Sequence, residues 1–428
     1  MAYEIEIESL AYGGDGVGRR AGRAVFVPAS APGDRLSVEP LPGRARPERA
    51  RILKVLRPGP GRQDAVCPHF GDCGGCQWQH VGAEVQLEAK RRALADALLR
   101  IGRIPAAELP EVTALAAPAP FGYRRRARLA VAEDGTLGFM ARGDRRLVRI
   151  QSCRLLEPAL ERLVFDLSAA LRRRPVPGLA HVELCLAQGR GAAELELRAS
   201  LTGSGPAASL AAARPAAQAL LEACPGLSGV VLSAGQARLE FGDPVIPDGP
   251  LLLRPDVFAQ ASREGNRALV ELALARLEPR PTDRALELHA GSGNFSFALA
   301  PRVAALHAVE LEGEALRLAR RALPEALAPR VVFEGASAEA AVRALAAGGR
   351  RFEIALLDPP RTGAREALAA MAELVVRRIV YVSCDPATLA RDVAPLRSQG
   401  FRITSATALD LFPQTYHLEA VVSLDRLA

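Results

Sequence analysis

Alternating hydrophobic and polar positions run through the first 57 residues of the chain. Period-two alternation broken by glycine and proline is typical of short β-strands. The alternating stretches contain Ile5 and Ile7 and then cover Arg23–Val27, Leu36–Leu41 and Ala50–Val55. Four or five strands in so short a span predict a small barrel of the OB type over residues 1–57.

A helical period replaces the alternation at Val85–Ile101. The spacing predicts an amphipathic helix. Its apolar side holds Leu87, Leu94, Leu98 and Ile101, and its polar side holds Lys90, Arg91 and Arg92. Residues 58–80 show neither period, and short strand-like and helical runs mix from residue 118 onward. We therefore expect a central α+β region at residues 58–250.

Strand-like and helix-like segments alternate regularly from residue 251 to the C-terminus. This order predicts a doubly wound α/β sheet that ends in an antiparallel hairpin, over residues 251–428. The fold class expected for the whole chain is multidomain α/β. The candidate strands are Arg284–Leu288, Val303–Val309, Val331–Phe333, Phe352–Leu357, Ile379–Ser383, Phe401–Asp410 and Leu418–Leu424.

The charge of the chain indicates the chemical class of its partner. The 428 residues carry a net charge of +7, and the isoelectric point is near 9.3. A basic excess favours an anionic partner such as nucleic acid. The excess is densest at Tyr123–Arg154, where nine arginines face three acids, and further arginines lie among the barrel strands.

The chain contains no apolar run long enough to span a membrane, and its N-terminus is acidic where a signal peptide would be basic. We therefore expect a cytosolic protein without a membrane partner. In that compartment thiols stay reduced, and cysteines bind metals or take part in chemistry.

Three cysteines crowd into ten residues at Cys67, Cys73 and Cys76, between glycines that permit tight turns. Cys153 is the natural fourth ligand. Four thiolates suit a [4Fe–4S] cluster or a structural zinc ion, and the five-residue first spacing favours iron–sulfur. Cys185 and Cys224 stand alone and are expected in the core.

A glycine turn at Gly291 and Gly293 follows the first strand of the α/β half and opens a helix. Glu310 ends the next strand, where a carboxylate can bind both hydroxyls of a ribose. The third glycine of a dinucleotide fingerprint is absent, and the loop carries no lysine for a phosphate. S-adenosylmethionine is therefore favoured over NAD, and a turn without a ligand is the alternative.

Cys384 follows the fifth candidate strand in Ser383-Cys-Asp-Pro386, and Asp358 follows the fourth. Doubly wound sheets bind ligands at this carboxyl edge, so Cys384 is a candidate nucleophile. The alternative is a small buried hydrophobic residue. Glu419, on the last strand, reads from its pattern alone as a solvated strand residue.

These motifs together resemble the RNA uracil-C5 methyltransferases, and most closely the members with a TRAM domain and an iron–sulfur cluster, typified by the 23S rRNA enzymes. The resemblance covers nearly the whole chain. It rests on C-P-x-F-x-x-C-G-G-C at Cys67–Cys76, D-P-P-R-T-G at Asp358–Gly363, S-C-D-P-A-T-L-A-R-D at Ser383–Asp392 and F-P-Q-T-x-H-x-E at Phe412–Glu419.

The resemblance implies a reaction and a role for each catalytic residue. Cys384 adds to C6 of a flipped-out uracil, the C5 enolate takes the methyl group, Glu419 removes the C5 proton, and the thiolate leaves. Asp358 helps to hold substrate or cofactor. The four cysteines would ligate a [4Fe–4S] cluster with a structural or RNA-facing role.

The resemblance also implies cofactor contacts. The family's F-x-Q segment matches Phe258-Ala-Gln260, which makes Gln260 a cofactor contact and Phe258 an RNA-side aromatic. The other implied cofactor residues are Asn266, His289, Gly291, Gly293, Glu310 and Asp358. The chain departs from the family pattern at Ser262, where asparagine is usual, and at Glu287, His289 and Ala290.

The expected function is S-adenosylmethionine-dependent methylation of a uridine in RNA, with 23S rRNA as the expected substrate and a monomeric enzyme. The alternatives are a tRNA uracil-C5 methyltransferase, a cytosine-C5 RNA methyltransferase, an N-methyltransferase and a non-enzymatic RNA-binding module. The Glu419 context disfavours the cytosine enzyme, and Arg361 after Asp358-Pro-Pro disfavours the N-methyltransferase.

Overall fold

The computed structural model describes residues 1–42, 48–197 and 206–427. The chain divides into two compact units, each built from more than one stretch of sequence. The first holds Met1–Pro120, Pro359–Ala372 and Arg377–Ala428, and the second holds Phe121–Asp358 and Glu373–Val376.

The first unit opens with a closed five-stranded barrel in the order β1-β2-β3-β5-β4. Its strands are β1 (Tyr3–Leu10), β2 (Gly16–Arg20), β3 (Arg23–Val27), β4 (Arg35–Pro40) and β5 (Glu48–Arg57). Alternate residues, among them Ile5, Ile7 and Val25, fill the barrel interior, while the glutamates between them face outward. The predicted N-terminal barrel is confirmed.

Helix α1 (Ala83–Asp96) follows and ends in a π-helical turn at Ala97–Ile101, before strand β6 (Val112–Leu115). The predicted polar and apolar sides of this helix were partly wrong. Lys90 is fully buried and Ile101 is 49% exposed. The cause is a long-range contact. Lys90 forms an ion pair with Asp410, far along the sequence, and this pairing compensates the cost of burying its charge.

A mixed seven-stranded sheet and two helices occupy the first part of the second unit. The sheet order is β13-β12-β11-β10-β7-β8-β9, and β14 pairs with β15. The strands are β7 (Arg126–Val131), β8 (Leu137–Met140), β9 (Leu147–Arg149), β10 (Leu179–Ala187), β11 (Arg190–Leu197), β12 (Leu227–Ala234), β13 (Ala237–Gly242), β14 (Ile246–Asp248) and β15 (Leu251–Leu253). Helices α2 (Pro158–Arg173) and α3 (Pro206–Ala223) contribute to its core.

Four parallel strands follow in the same unit, in the order β18-β17-β16-β19. The elements are α4 (Arg263–Leu277), β16 (Arg284–Leu288), α5 (Ser296–Leu299), β17 (Ala305–Glu310), α6 (Gly313–Ala322), β18 (Val331–Gly335), α7 (Ala338–Ala347) and β19 (Phe352–Leu357). Short 3-10 turns lie at Ala300–Arg302 and Ala328–Arg330. The parallel order brings the carboxyl ends of β16, β17 and β19 to one edge.

The last elements are α8 (Arg365–Leu374), β20 (Val375–Ser383), α9 (Pro386–Ser398), β21 (Phe401–Leu409) and β22 (Glu419–Arg426). In the first unit, the strands lie in the order β20-β22-β21-β6. Strands β21 and β22 pair in antiparallel fashion, as predicted, and β6 joins β21 in parallel.

The multidomain α/β class is confirmed by these elements. The domain boundaries at residues 57 and 250 stay predictions. The two compact units divide the chain at other positions. Within the described residues, no helix is both long enough and apolar enough to cross a membrane.

Candidate functional site

The candidate nucleophile Cys384 lies between strand β20 and helix α9 in the first unit. Asp385 caps the helix, because its carboxylate accepts a hydrogen bond from the backbone N–H of Thr388 at 2.8 Å. Cys384 is half-buried just before this N-terminus. A helix N-terminus carries a partial positive charge, and Cys384 lies directly before it.

The loop that starts at Pro359 is held by helix α9. Asp392 is fully buried, and its carboxylate accepts hydrogen bonds from the backbone N–H of Ala364 and the hydroxyl of Tyr381, both at 2.8 Å. Gly363 has a φ of +83°, and a Cβ there would lie 2.1 Å from the Asp392 carboxylate. Asp392 therefore ties the loop of the D-P-P-R-T-G motif to the helix that follows the S-C-D-P motif.

Glu419, the candidate base, is the first residue of β22 and is 3% exposed. The prediction from pattern alone, a solvated strand residue, was wrong. Glu419 pairs with Leu409 at the end of the β21–β22 ladder, directly after the segment that connects the two strands. Ser383, directly before Cys384, pairs with Ala420, directly after Glu419, so the two candidates lie at the same end of the β20–β22 ladder.

The segment Asp410–Leu418, which precedes Glu419, is fastened to helix α1. Gln414 has a φ of +70°, its backbone N–H donates to the side chain of Gln86 at 2.9 Å, and the Gln86 amide donates back to Gln414 at 3.1 Å. The Lys90 ammonium donates to the carbonyl of Phe412 at 3.1 Å and pairs with Asp410. These contacts hold in place the chain segment that leads into Glu419.

The cysteine loop is fastened to the same segment. The backbone N–H groups of Gln77 and Trp78 donate to the carbonyl of Gln414 at 3.0 and 2.9 Å. Cys67, Cys73 and Cys76 are all half-buried, and the Cys73 sulfur accepts from the backbone N–H of Gly75 at 3.4 Å. Burial raises the pKa of the Cys73 thiol.

The thiols of this loop have the chemistry of iron and zinc ligands, and the N–H···S contact is of the kind that tunes ligating sulfurs. Among the described residues, no group of three or more His, Cys, Asp or Glu side chains is arranged so as to hold a metal ion. All seven cysteines lie in described residues, and each is a thiol. The thiols of the cysteine loop therefore have the chemistry of cluster ligands, but the described side chains are not arranged as a metal site.

The barrel contributes a residue beside the nucleophile that the sequence did not reveal. The hydroxyl of Tyr12, in the turn between β1 and β2, donates to the backbone carbonyl of Cys384 at 3.2 Å. Burial raises the pKa of this phenol, and the charges of Asp385 and Cys384 act in the same direction. Tyr12 therefore stays neutral and donates this hydrogen bond at any physiological pH.

The candidate cofactor turn in the second unit follows β16. Gly291 and Gly293 have φ values of +56° and +93°, and a Cβ on Gly293 would lie 2.6 Å from the ring of Phe297. The backbone N–H of Gly291 donates to the carboxylate of Glu310 at 2.8 Å, and the N–H of Glu312 donates to it at 2.7 Å. The turn thus orients Glu310 at the end of β17, as ribose binding requires.

Two further candidates lie at the start of helix α4. Asn266 exchanges side-chain hydrogen bonds with Asn294 at 2.7 and 3.0 Å, and so joins the helix to the glycine turn. Gln260 is 6% exposed, and its backbone carbonyl accepts from Arg125 at 3.1 Å. Ser262, where the family has asparagine, caps helix α4 through the N–H of Gly265 at 3.0 Å.

Burial shapes the acid–base state of this region. Glu287 is fully buried at the end of β16, accepts a hydrogen bond from Ser296 at 2.7 Å, and has its pKa raised to about 8 by desolvation. Desolvation also raises the pKa of Asp358 to about 7. Desolvation lowers the pKa of His289, which adopts a φ of +60°. Glu287 is therefore a buried acid behind the glycine turn.

The basic stretch Tyr123–Arg154 is less available to a polyanion than its composition indicates. Arg125 is 1% exposed and pairs with Asp248, and Arg126 is 8% exposed and pairs with Glu183 at 2.7 Å. The expectation that the basic stretch Tyr123–Arg154 serves an anionic partner therefore does not extend to these two arginines. Their positive charges are neutralised by carboxylates inside the second unit.

The structure distributes the predicted site residues between the two units. Cys384, Glu419 and the three loop cysteines belong to the first unit. The cofactor candidates, Asp358 and Cys153 belong to the second, where Cys153 packs against the core and its backbone N–H donates to Glu161 at 2.6 Å. Cys185 and Cys224 are buried, as predicted.

Sequence reasoning missed Tyr12, the Lys90–Asp410 pair, Asn294 and the bond between Gln86 and Gln414. Each partnership joins positions far apart in the chain, so no local period reveals it. Of these residues, only Gln414 could have been singled out from the sequence, because it lies inside the F-P-Q-T-x-H-x-E motif.

The known proteins that this chain resembles are uracil-C5 methyltransferases. Residues 253–427 match the family model described as tRNA (Uracil-5-)-methyltransferase. A 23S rRNA (uracil(1939)-C(5))-methyltransferase RlmD from Chromohalobacter salexigens is 38% identical over 435 residues, covering 99% of this chain and 89% of that protein. The protein of the same name from Pseudomonas putida is 36% identical over 436 residues, covering 97% and 92%.

A solved structure has the same fold along the chain. The tRNA (uracil-54, C5)-methyltransferase of Pyrococcus abyssi, determined with S-adenosyl-L-homocysteine, superposes with a TM-score of 0.74 at 24% identity, covering 99% of this chain and 100% of that one. Full-length identity above one third with named uracil-C5 methyltransferases is decisive. The chain belongs to the RNA (uracil-5-)-methyltransferase family.

Proposed function

We propose that this enzyme methylates C5 of one uridine in 23S rRNA, at the position equivalent to uracil 1939 in the names of its relatives, with S-adenosylmethionine as methyl donor. The observation that carries the proposal is the pairing, within one unit, of a half-buried thiol before a helix N-terminus with a buried carboxylate. Cys384 and Glu419 supply the nucleophile and the base that this reaction requires.

The reaction follows from the weak nucleophilicity of uracil C5. The Cys384 thiolate adds to C6, the electron pair of the C5–C6 double bond becomes an enolate, and C5 takes the methyl group. Glu419 then removes the C5 proton, the double bond reforms, and the Cys384–C6 bond breaks. The products are 5-methyluridine, S-adenosylhomocysteine and a proton.

The cofactor residues of the second unit suit S-adenosylmethionine. When bound, the cofactor supplies an electrophilic methyl group. Glu310, oriented by the N–H groups of Gly291 and Glu312, would hold the ribose hydroxyls. Gln260, Asn266, His289, Gly293 and Asp358 would complete the site. The absence of a phosphate-binding lysine in the turn supports this cofactor over NAD.

We further propose that residues 1–57 form a TRAM domain, that residues 58–250 form a central RNA-binding region, and that residues 251–428 form a class I methyltransferase domain. The exposed Phe258, at 76%, supports an RNA-side role for that ring. A monomeric, cytosolic enzyme completes the proposal.

Methyl transfer can be tested with labelled S-adenosylmethionine and 23S rRNA transcribed without modifications. We expect one 5-methyluridine at the proposed position, found by mass spectrometry of nuclease fragments. Methylation of transfer RNA in its place would support the tRNA alternative. 5-Methylcytidine would overturn the proposed base specificity.

The cysteine loop leads to a separate proposal: Cys67, Cys73, Cys76 and Cys153 ligate a [4Fe–4S] cluster with a structural or RNA-facing role. Protein purified without oxygen should contain about four iron and four sulfide per chain. Cys73→Ser should lower the iron content, while Cys185→Ser, a control in the core, should retain it. Stoichiometric zinc without iron would contradict the proposal.

A further inference from the structure

The turn between β1 and β2 is pinned beside the proposed nucleophile. The indole N–H of Trp78 donates to the carbonyl of Gly14 at 3.0 Å. Gly14 has a φ of +96°, and a Cβ there would lie within 3.2 Å of Gln77 and Tyr416. Tyr12, in the same turn, donates to the backbone carbonyl of Cys384. The barrel thereby fixes one aromatic ring at the catalytic cysteine.

Tyr12 belongs to a cluster of three rings, which we name the aromatic platform: Tyr12, Tyr416 and His417. The ring of Tyr12 meets the ring of Tyr416 edge to face at 5.5 Å. The rings of Tyr416 and His417 lie 4.2 Å apart, tilted by 37°. Tyr12 is 38% exposed, and the other two rings are half-buried. The platform therefore combines a fixed geometry with ring surface open to solvent.

The proposed chemistry does not use these rings. Covalent addition needs Cys384, and proton removal needs Glu419. A uridine that is flipped out to reach a thiol leaves its neighbours in the strand without their stacking partner. Proteins that hold unstacked bases offer them aromatic side chains, because every base has a flat face.

We propose that the aromatic platform binds, by stacking, a nucleobase next to the target uridine in the same RNA strand. The Tyr12 hydroxyl is 3.2 Å from the backbone carbonyl oxygen of Cys384, the residue proposed to bond to uracil C6. A base one nucleotide away falls within reach of that ring. This inference rests on the proposed function and adds a subsite to it.

The test uses fragments of 23S rRNA centred on the uridine equivalent to position 1939, and the KM for RNA is measured with saturating S-adenosylmethionine. Tyr12→Ala should raise this KM about tenfold, the usual effect of removing one stacking ring. Tyr12→Phe, which keeps the ring, should recover most of that loss. Leu53→Ala removes another exposed apolar side chain of the barrel, 50% exposed, and serves as the matched control.

A second set of fragments separates stacking from a structural role. Each carries an abasic ribose at one nucleotide that flanks the target. At the stacked position, the abasic fragment should bind more weakly to the unmodified enzyme, and Tyr12→Ala should cause little further loss. A merely structural defect would reduce the affinity for every fragment by the same factor, and that outcome would overturn the inference.

The two proposals fail in different ways. If the unmodified enzyme does not methylate the intact fragment, the proposed function fails. If it methylates the fragment and Tyr12→Ala has the same KM as Leu53→Ala, only the aromatic platform fails as a base-binding subsite.

Discussion

Two residues carry the proposed chemistry, and the position of each in the fold suits its proposed role. Cys384 lies where the end of β20 meets the N-terminus of α9. Glu419 is 3% exposed at the start of β22. A carboxylate there is shielded from water and is held by the ladder between β21 and β22.

Glu419→Gln should separate addition from release. The amide keeps the shape of the side chain but cannot take the C5 proton, so turnover should fall at least about a hundredfold. A methylated enzyme–RNA adduct should accumulate, visible as a complex that survives denaturing electrophoresis. Turnover close to that of the unmodified enzyme, without an adduct, would rule out Glu419 as the base.

Glu287 makes stability depend on pH. Burial raises the pKa of Glu287 to about 8 from the ordinary value of 4.5. Between these two values the unfolded chain has released the proton that the folded chain keeps. The free energy of unfolding should therefore fall as pH rises across this window, by at most about 1.4 kcal/mol per pH unit.

Glu287→Gln should remove this contribution. The difference in unfolding free energy between pH 5 and pH 8, measured by urea denaturation, should be smaller in the variant than in the unmodified protein. The charge of Asp358 helps to raise the pKa of Glu287, so the variant also changes the titration of Asp358, and the comparison reports the two carboxyl groups together. Equal pH dependence in the two proteins would show that Glu287 is ionised when folded.

At the scale of elements, helix α1 serves as an anchor for the segment between β21 and β22. Its buried face carries Gln86 and Lys90 as well as Leu94. The polar pair is satisfied by Gln414 and Asp410, so the helix buries polar groups without leaving them unpaired.

Lys90→Met should destabilise the protein by about 3–5 kcal/mol, because it leaves the Asp410 carboxyl buried without its cation. The double variant Lys90→Met, Asp410→Leu should recover most of this loss, since an apolar pair of similar size needs no compensation. Urea denaturation measures both. A single variant as stable as the unmodified protein would contradict the anchoring role.

Local periodicity predicted the elements better than it predicted their partners. Strands β16 and β19 begin and end at the predicted residues, because buried parallel strands read as short apolar runs. The predicted faces of α1 were partly wrong, because Lys90 is buried in an ion pair with Asp410, 320 positions away. The burial of Glu419 and the position of Tyr12 likewise depend on tertiary contacts that no local pattern contains.

At the scale of the whole molecule, the net charge of +7 remains consistent with an RNA substrate, although its distribution differs from the prediction. Arg125 and Arg126 neutralise buried carboxylates in the second unit. Arg19, Arg20 and Arg51 of the barrel are exposed, and each is paired with a glutamate. Exposed pairs of this kind exchange partners at low cost, so these arginines remain accessible to phosphates.

The motifs predicted the enzyme family well, because they consist of distinctive residues and the turns that hold them. S-C-D-P contains the candidate nucleophile and the residue that caps α9, and D-P-P-R-T-G contains the loop that Asp392 holds. The substrate is harder to read from sequence, because RNA is gripped by surfaces assembled from distant parts of the chain.

The covalent mechanism is tested most directly with RNA that carries 5-fluorouridine at the target position. Fluorine at C5 cannot leave as a proton does, so the Cys384–C6 bond should persist after methyl transfer. The unmodified enzyme should form a denaturation-resistant adduct with this RNA in the presence of S-adenosylmethionine, and so should the Cys185→Ala control. Cys384→Ala should form none and should transfer no methyl group to ordinary RNA. Normal methyl transfer by Cys384→Ala would contradict the account.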